Sequence, residues 1–384
     1  MRFAPHTVPY AIIVACACAG PAERAAPLPD LAVTPEWTVA SIRTIGGPNS
    51  ELFRVRSARR LSSGDLAVAN AGTTEILFFD STGRKTGAVG RAGDGPQEFK
   101  FVSSMVRLRG DTLLVTVGPK TLARVTRDGV ASIFTLDVNY DRFWRDSRAQ
   151  SALILADETL LVELDHDRPQ TGRFRTLTRY GLLRSGATVS SFLATEGLEH
   201  VSPPGDQMGD RTKFVRFSPY SVITTGPTEI YVGDTSEFTI HVYATDGTLL
   251  RSVTRSVKPR RVTATEKGGE KRRLTQAVES AVSPDARRRA EFQLRNVEFS
   301  DYLPAFGDIA VDSEGFLWIQ EYVTSQTGER PLWLVVDETG RSRAHVRIPR
   351  MRILDIGIDY IIGVDVDDLG IERITTLKLN RSSG

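Results

Sequence analysis

The chain carries two cysteines, Cys16 and Cys18, one residue apart. That spacing is too short for an ordinary disulfide, and both follow a brief apolar run over residues 8–15. The small residues leading into Cys16 resemble a bacterial lipobox. There the cysteine sulfur is acylated and the residue becomes the mature N-terminus; two or three chains anchor stably where one does not. Lipidation at Cys18, or ordinary signal cleavage near Ala19, are the alternatives. The apolar run is far too short to span a bilayer as a helix. No other thiol exists, so the folded body has neither a cysteine nucleophile nor a thiolate metal ligand.

Histidine is scarce. His6, His166, His200, His241 and His345 are the full set, and no two stand at metal-ligand spacing. No Gly-x-Ser-x-Gly occurs, so serine hydrolysis lacks its elbow. Residues 90–95 are glycine-rich but lack Gly-Lys-Ser/Thr and lead into no helix. They read as a turn, with Phe99 packed between structural units and Glu98 accepting bonds from nearby amides. Residues 365–370 resemble a calcium loop, but Leu369 stands at the fifth ligand position and Thr376 at the twelfth, so a hairpin turn is expected. Arg272, Arg273 and Arg287 to Arg289 alternate with Glu270, Glu279, Asp285, Glu291 and Glu298, as on a solvated helix face. The formal charge of +2 gives no global attraction to nucleic acid, and none is expected as a partner. What remains for chemistry is arginine, aromatic rings and carboxylates, whose meaning depends on the elements that hold them.

Two patterns recur along those elements. One is an apolar run, a Gly or acidic turn and a second apolar run, at residues 61–68, 106–115, 154–162, 223–232 and 309–319, with a degenerate copy at 356–364. The other is a strand closed by an acidic or polar turn with Gly, at 76–83, 123–129, 241–247 and 332–340. Both are hairpins: Gly or Asp takes the turn dihedrals, and period-two alternation gives each strand two packing faces. The patterns alternate, so the unit is about four strands. The first copies are spaced by about 47 residues, near the period of propeller blades. With 40% hydrophobic residues, 32 glycines and 19 prolines, the expectation is an all-β chain, a six-bladed β-propeller. One blade cannot bury both its faces; a ring of stacked blades can. The last unit, residues 353–379, is a strand short, and the run 37–46 has no neighbour. The N-terminal strand is therefore expected to complete the last blade and close the ring.

The domain organisation follows: signal peptide and lipobox over 1–19, a Pro/Ala-rich tether over 20–36, and a single propeller over 37–381. Two intervals are long. Residues 180–214, with Pro203-Pro204-Gly205, are expected as a loop over one face. Residues 258–299 switch to helical period. Thr263 to Glu266 forms a capping box, and Ser283-Pro284-Asp285 starts a second helix. A helical-hairpin insertion is expected, apolar stripes down and arginines outward.

The connector Gly93-Asp-Gly-Pro-Gln-Glu-Phe99, the repeated Asp-x-x-Gly hairpins, Ile309 to Ile319 and the preceding Tyr302-Leu-Pro-Ala-Phe306 resemble the NHL-type six-bladed propellers. The secreted or lipid-anchored bacterial branch is the most similar. Its usual connector is close to G-x-G-P-G-E-F, and Gln97 replaces the second glycine of that core. The resemblance covers about 37–379 and implies a fold, since propellers host binders, scaffolds and enzymes alike. In such a ring the starts of the inner strands line the tunnel mouth. By pattern these lie near Arg54, Ser103 and Ser104, Arg142 to Trp144, Arg216 to Tyr220 and Tyr302 to Phe306. Arg54, Arg142, Trp144, Arg216, Tyr220 and Tyr302 are the candidate ligand contacts, and they suit a carboxylate, sugar or peptide better than a hard cation. No catalytic residue, metal ligand or cofactor is assigned. The reading is a lipid-anchored envelope protein, in the periplasm or outer membrane, that binds a ligand or partner on one face without catalysis. The alternatives are a propeller enzyme with a divalent metal in its tunnel, a lactonase-like hydrolase or lyase, and an envelope scaffold or assembly module.

Overall fold

Short alternating strands satisfy both their faces by stacking sheet on sheet. The computed structural model describes residues 34–381 apart from 119–120, 136–152, 156, 167–169, 184–189, 205–210, 326–327, 329 and 368. After β1 (Glu36–Gly46), a first sheet comprises β2 (Val55–Arg60), β3 (Leu66–Asn70), β4 (Glu75–Phe79) and β5 (Lys85–Val89). A second comprises β6 (Met105–Arg107), β7 (Leu113–Thr116), β8 (Thr121–Thr126) and β9 (Gly129–Thr135). The third runs β10 (Leu153–Ile154), β11 (Leu160–His166), β12 (Gly172–Leu183) and β13 (Ser190–Ser202), and is widened by β14 (Lys213–Arg216). The fourth is β15 (Ser221–Thr225), β16 (Glu229–Asp234), β17 (Thr239–Ala244) and β18 (Leu249–Thr254). Two helices follow, α1 (Ala264–Glu279) and α2 (Pro284–Arg295), then β19 (Glu298–Phe299), which pairs in parallel with β14. The fifth unit is β20 (Ile309–Val311), β21 (Leu317–Gln320), β22 (Leu332–Val336) and β23 (Ser342–Arg347). The sixth is β24 (Arg352–Ile356), β25 (Tyr360–Val366) and β26 (Glu372–Asn380).

β1 supplies the missing strand. It pairs antiparallel along β26, from Thr38 opposite Asn380 to Gly46 opposite Arg373. Its first residues also pair in parallel with β23, which joins the fifth and sixth units into one eight-stranded sheet.

Buried apolar clusters lie between consecutive sheets, and period-two alternation makes each sheet feed two of them. Leu113 joins Phe78 and Phe99 on one side, while its neighbour Leu114 joins Leu160 and Leu183 on the other. The series continues with Leu161 and Val232, Tyr231 and Phe306, and Trp318 and Ile361. It returns through Ile362 to Leu66 and Phe79 of the first sheet. The packing therefore closes on itself, as in a β-propeller.

Aspartate sets the turns. Asp312 Oδ1 accepts the amides of Glu314 (3.0 Å) and Phe316 (2.9 Å). Its Oδ2 takes the Trp318 indole (3.0 Å) and Arg381 (2.8 Å), so one buried carboxylate fixes a turn, a core ring and the last described residue. Asp80, Asp337 and Asp367 cap their turns in the same way. The Thr82 hydroxyl and the turn amides lower the Asp80 pKa to about 2. The glycine-rich connector is a joint, as its sequence suggests. Phe99 is buried between the first two sheets, and Glu98 Oε2 accepts the Gly95 amide (2.7 Å). Gly90, at φ +85°, sits so close to the Phe99 ring that a Cβ would meet it at 2.0 Å. Gln97 holds φ +64°, the left-handed conformation a glycine would take without cost.

One expectation needs correction. Most of the interval 180–214 is strand: β12 and β13 pair from Gly172 opposite Ser202 to Leu182 opposite Ser190. The alternation in this long hairpin is masked by polar residues such as Arg173, Arg175, Glu196 and Glu199, which pair across it. The helical hairpin forms with both caps as expected, Thr263 Oγ1 accepting the Glu266 amide and Ser283 Oγ the Ala286 amide. Its apolar positions, among them Leu274, Ala277, Val278, Ala290 and Leu294, are buried or half-buried, and Arg272, Arg273 and Arg287 to Arg289 are exposed, as expected. Glu266 and Gly269 of α1 are buried as well. Glu266 pairs with Arg260 (2.9 Å), and Gly269 lets the helix approach Ser325, whose Oγ would stand 2.0 Å from a Cβ.

Trp37 of β1 is 7% exposed, with its ring 6.0 Å from that of Trp318 and 5.0 Å from the Arg381 guanidinium. Trp37→Ala is expected to cost about 3–5 kcal/mol, read as a lowered urea midpoint.

Candidate functional site

The inner strands β2, β6, β10, β15, β20 and β24 surround a central cavity of about 530 Å³. At one end it is lined by Arg56, Ser103, Ser104, Ser221, Asp308 and Arg352, the residues at or just before the inner-strand starts. Arg352 donates to the carbonyls of Val55 (2.6 Å) and Arg56 (3.2 Å). A guanidinium has five N–H groups, so Arg352 can still reach a ligand. Burial, with the nearby Arg56 charge adding to it, lowers the Arg352 pKa. Arg59 is committed to the Leu354 and Ala58 carbonyls. Arg56 differs: among the described residues its guanidinium has no hydrogen-bond or ion-pair partner.

The other lining groups sharpen this picture. Ser103 is buried and its Oγ has no partner among the described residues. Ser221 Oγ donates to Asp234, which also takes Arg175 at 2.7 Å. Asp308 lines the cavity and is exposed to it. Partial desolvation by the surrounding strands raises its pKa, against the Ile309 amide on Oδ1 (2.8 Å) and the Arg352 charge. Asp355 takes the Tyr360 hydroxyl (2.8 Å) and the Arg60 amide (3.3 Å). Among the described residues no three His, Cys, Asp or Glu side chains stand together in a way that could hold a metal ion. The arrangement offers a partly enclosed cationic site with serine hydroxyls, chemistry that fits an oxyanion.

The sequence-based candidates are scattered. Arg54 holds φ +56° in the turn before β2, and its carbonyl accepts the Ala71 amide (3.2 Å); Arg56, two residues on, lines the cavity instead. Arg142 and Trp144 lie outside the described residues, as do Cys16 and Cys18. Arg216 is under α1, its Nε 3.5 Å from Glu270 and its guanidinium 5.7 Å from the Phe214 ring centre, away from the tunnel. Tyr220 does not line the cavity; its hydroxyl donates to the Gly307 carbonyl (2.7 Å), next to Asp308. Burial, then the neighbouring Tyr322 and Asp308 charges, push its pKa well above the ordinary phenol. Tyr302 lies on a separate groove, 5.1 Å from the Arg261 guanidinium. Arg56, Asp308 and Arg352 were missed. Their signal is positional: each stands at the same offset before an inner strand's apolar residues, as Ser104 and Ser221 do.

The folded Asp308 carboxyl keeps its proton to higher pH than the unfolded one. The folded state therefore loses stability as pH rises through that raised value. Asp308→Asn retains an acceptor for the Ile309 amide. It is expected to raise the melting temperature at pH 7 and to match wild type at about pH 3.5, where carboxyls are protonated in both states.

No protein family's sequence profile matches the chain, and neither does any curated protein. Among solved structures it is similar to a protein from Bacteroides fragilis described as exported, at 11% identity over 89% of this chain and 95% of that one, with a TM-score of 0.44. It is also similar to virginiamycin B lyase from Staphylococcus aureus, at 11% identity over 89% and 99% of the two chains, TM-score 0.40. Regucalcin from Agrobacterium tumefaciens, described as calcium-binding, gives 12% identity over 91% and 97%, TM-score 0.43. These likenesses carry no information about what this chain binds.

Proposed function

We propose that the chain is an NHL-type propeller, exported and held at the cell envelope by a lipid on Cys16, that binds a small oxyanion at the tunnel mouth without converting it. The observation that carries the ligand class is Arg56, an exposed guanidinium lining the cavity with no partner among the described residues. Arg352 adds its remaining N–H donors to the same end. A carboxylate, sulfate or phosphate fits a guanidinium fork; a hard cation would meet two arginines.

Calorimetry with citrate, sulfate, phosphate and galacturonate tests the ligand class. At least one is expected to bind saturably. Arg56→Ala is expected to weaken it by about 10- to 100-fold, the worth of one charged hydrogen bond, with Arg56→Lys in between. Binding of none of the four, or equal binding after Arg56→Ala, sinks the proposal. The anchor is tested separately: Cys16→Ala is expected to abolish fatty-acid labelling and release the protein from membranes, and unchanged labelling would point to another site.

A further inference from the structure

A second cavity, of about 1000 Å³, lies between the fourth and fifth sheets beside α1. Its apolar side chains include Phe238, Leu303, Pro304 and Ala305. Its other wall is the chain that runs on from β18. The Arg255 amide still bonds to the Phe238 carbonyl (2.9 Å), so the strand keeps its place in the sheet up to that point. It then leaves. Ser256, Val257 and Lys258 make no hydrogen bond among the described residues, and all three are exposed. Pairing resumes only where the Leu303 amide meets the Arg260 carbonyl (2.9 Å). Pro259 biases Lys258 toward an extended conformation. An unpaired extended segment beside an apolar trough is an open strand edge, which folded proteins ordinarily cover.

Charge narrows what covers it. Of the cations on this groove, Arg260 is answered by Glu266 (2.9 Å). Lys258 has no partner among the described residues, and Arg255 has only the Phe238 ring, 5.9 Å away. The groove's two acids, Glu237 and Glu321, both keep their charge but stand off this segment, Glu321 accepting the Leu332 amide. Residues 255–258 themselves carry two positive charges with no ion-pair partner among the described residues, and no acid.

We propose that Ser256–Lys258 is a β-augmentation site for an extended peptide of a partner protein, one whose apolar side chains enter the groove on the Arg255 and Val257 face and whose alternate acidic side chains meet Lys258 on the other. The site is independent of the tunnel.

The test is fluorescence anisotropy on the whole protein with three labelled ten-residue peptides. One alternates Val and Glu, one alternates Val and Lys, and one is the Val/Glu peptide N-methylated at every second amide. The Val/Glu peptide is expected to bind saturably, and the other two at least tenfold more weakly. Lys258→Glu should reduce Val/Glu binding at least tenfold, and so should Val257→Pro, which removes a backbone donor at an exposed position. Arg56→Ala should leave it unchanged, which separates this site from the tunnel. Absence of saturable Val/Glu binding overturns the proposal, as does equal binding of the N-methylated or the Val/Lys peptide. A dimer of this chain that Lys258→Glu dissociates and the peptide does not also overturns it, since the edge would then belong to a second copy.

Discussion

The stacking of the blades depends on the contact between the sixth sheet and the first. A row of stacked sheets would end in two bare faces; a ring has none, provided the last sheet finds the first. Here the seam is sewn at two radii. On the outside, β1 runs the length of β26. On the inside, Arg352 of β24 reaches the carbonyls of Val55 and Arg56, and Arg59 of β2 reaches back to the Leu354 carbonyl. The Val55 amide is taken by Glu372 of β26 (2.7 Å). Inner strands are narrow edges whose backbone groups need partners, and at this seam charged side chains supply them.

That solution shapes the tunnel. Its arginines are there first to hold the ring, and most are used up in doing so. Arg56 is what remains, placed where the seam already concentrates positive charge. Arg352 is both a stitch and a lining group, so a ligand that draws on its free N–H groups also touches the closure. Asp308 sets a counter-charge against them, at a cost that partial desolvation imposes on its ionised form.

Much of the fold was legible in sequence because it is local. Asp-x-x-Gly turns, a capping box and a Gly-bound phenylalanine each need only a few residues, and Asp312, Thr263 and Phe99 do what their spacing implies. The tunnel was less legible for a specific reason. β2 bulges between Val55 and Ser57, so Arg56 is an extra residue with no opposite number in β3. A pattern that counts alternating pairs has no place for such a residue, and Arg56 is the one that lines the cavity. For α1, Glu266 does what the capping box implies, and its added ion pair with Arg260, six residues upstream, has no pattern of its own.

The pairing of β1 with β26 also has a consequence in time. The Thr38 and Asn380 side chains that meet there are 342 positions apart. At about 5–20 residues per second, ribosomal synthesis would separate the two strands by roughly 20–70 seconds. Until then the first strand has nothing to pair with, and the ring that would lock the chain into a folded body stays open.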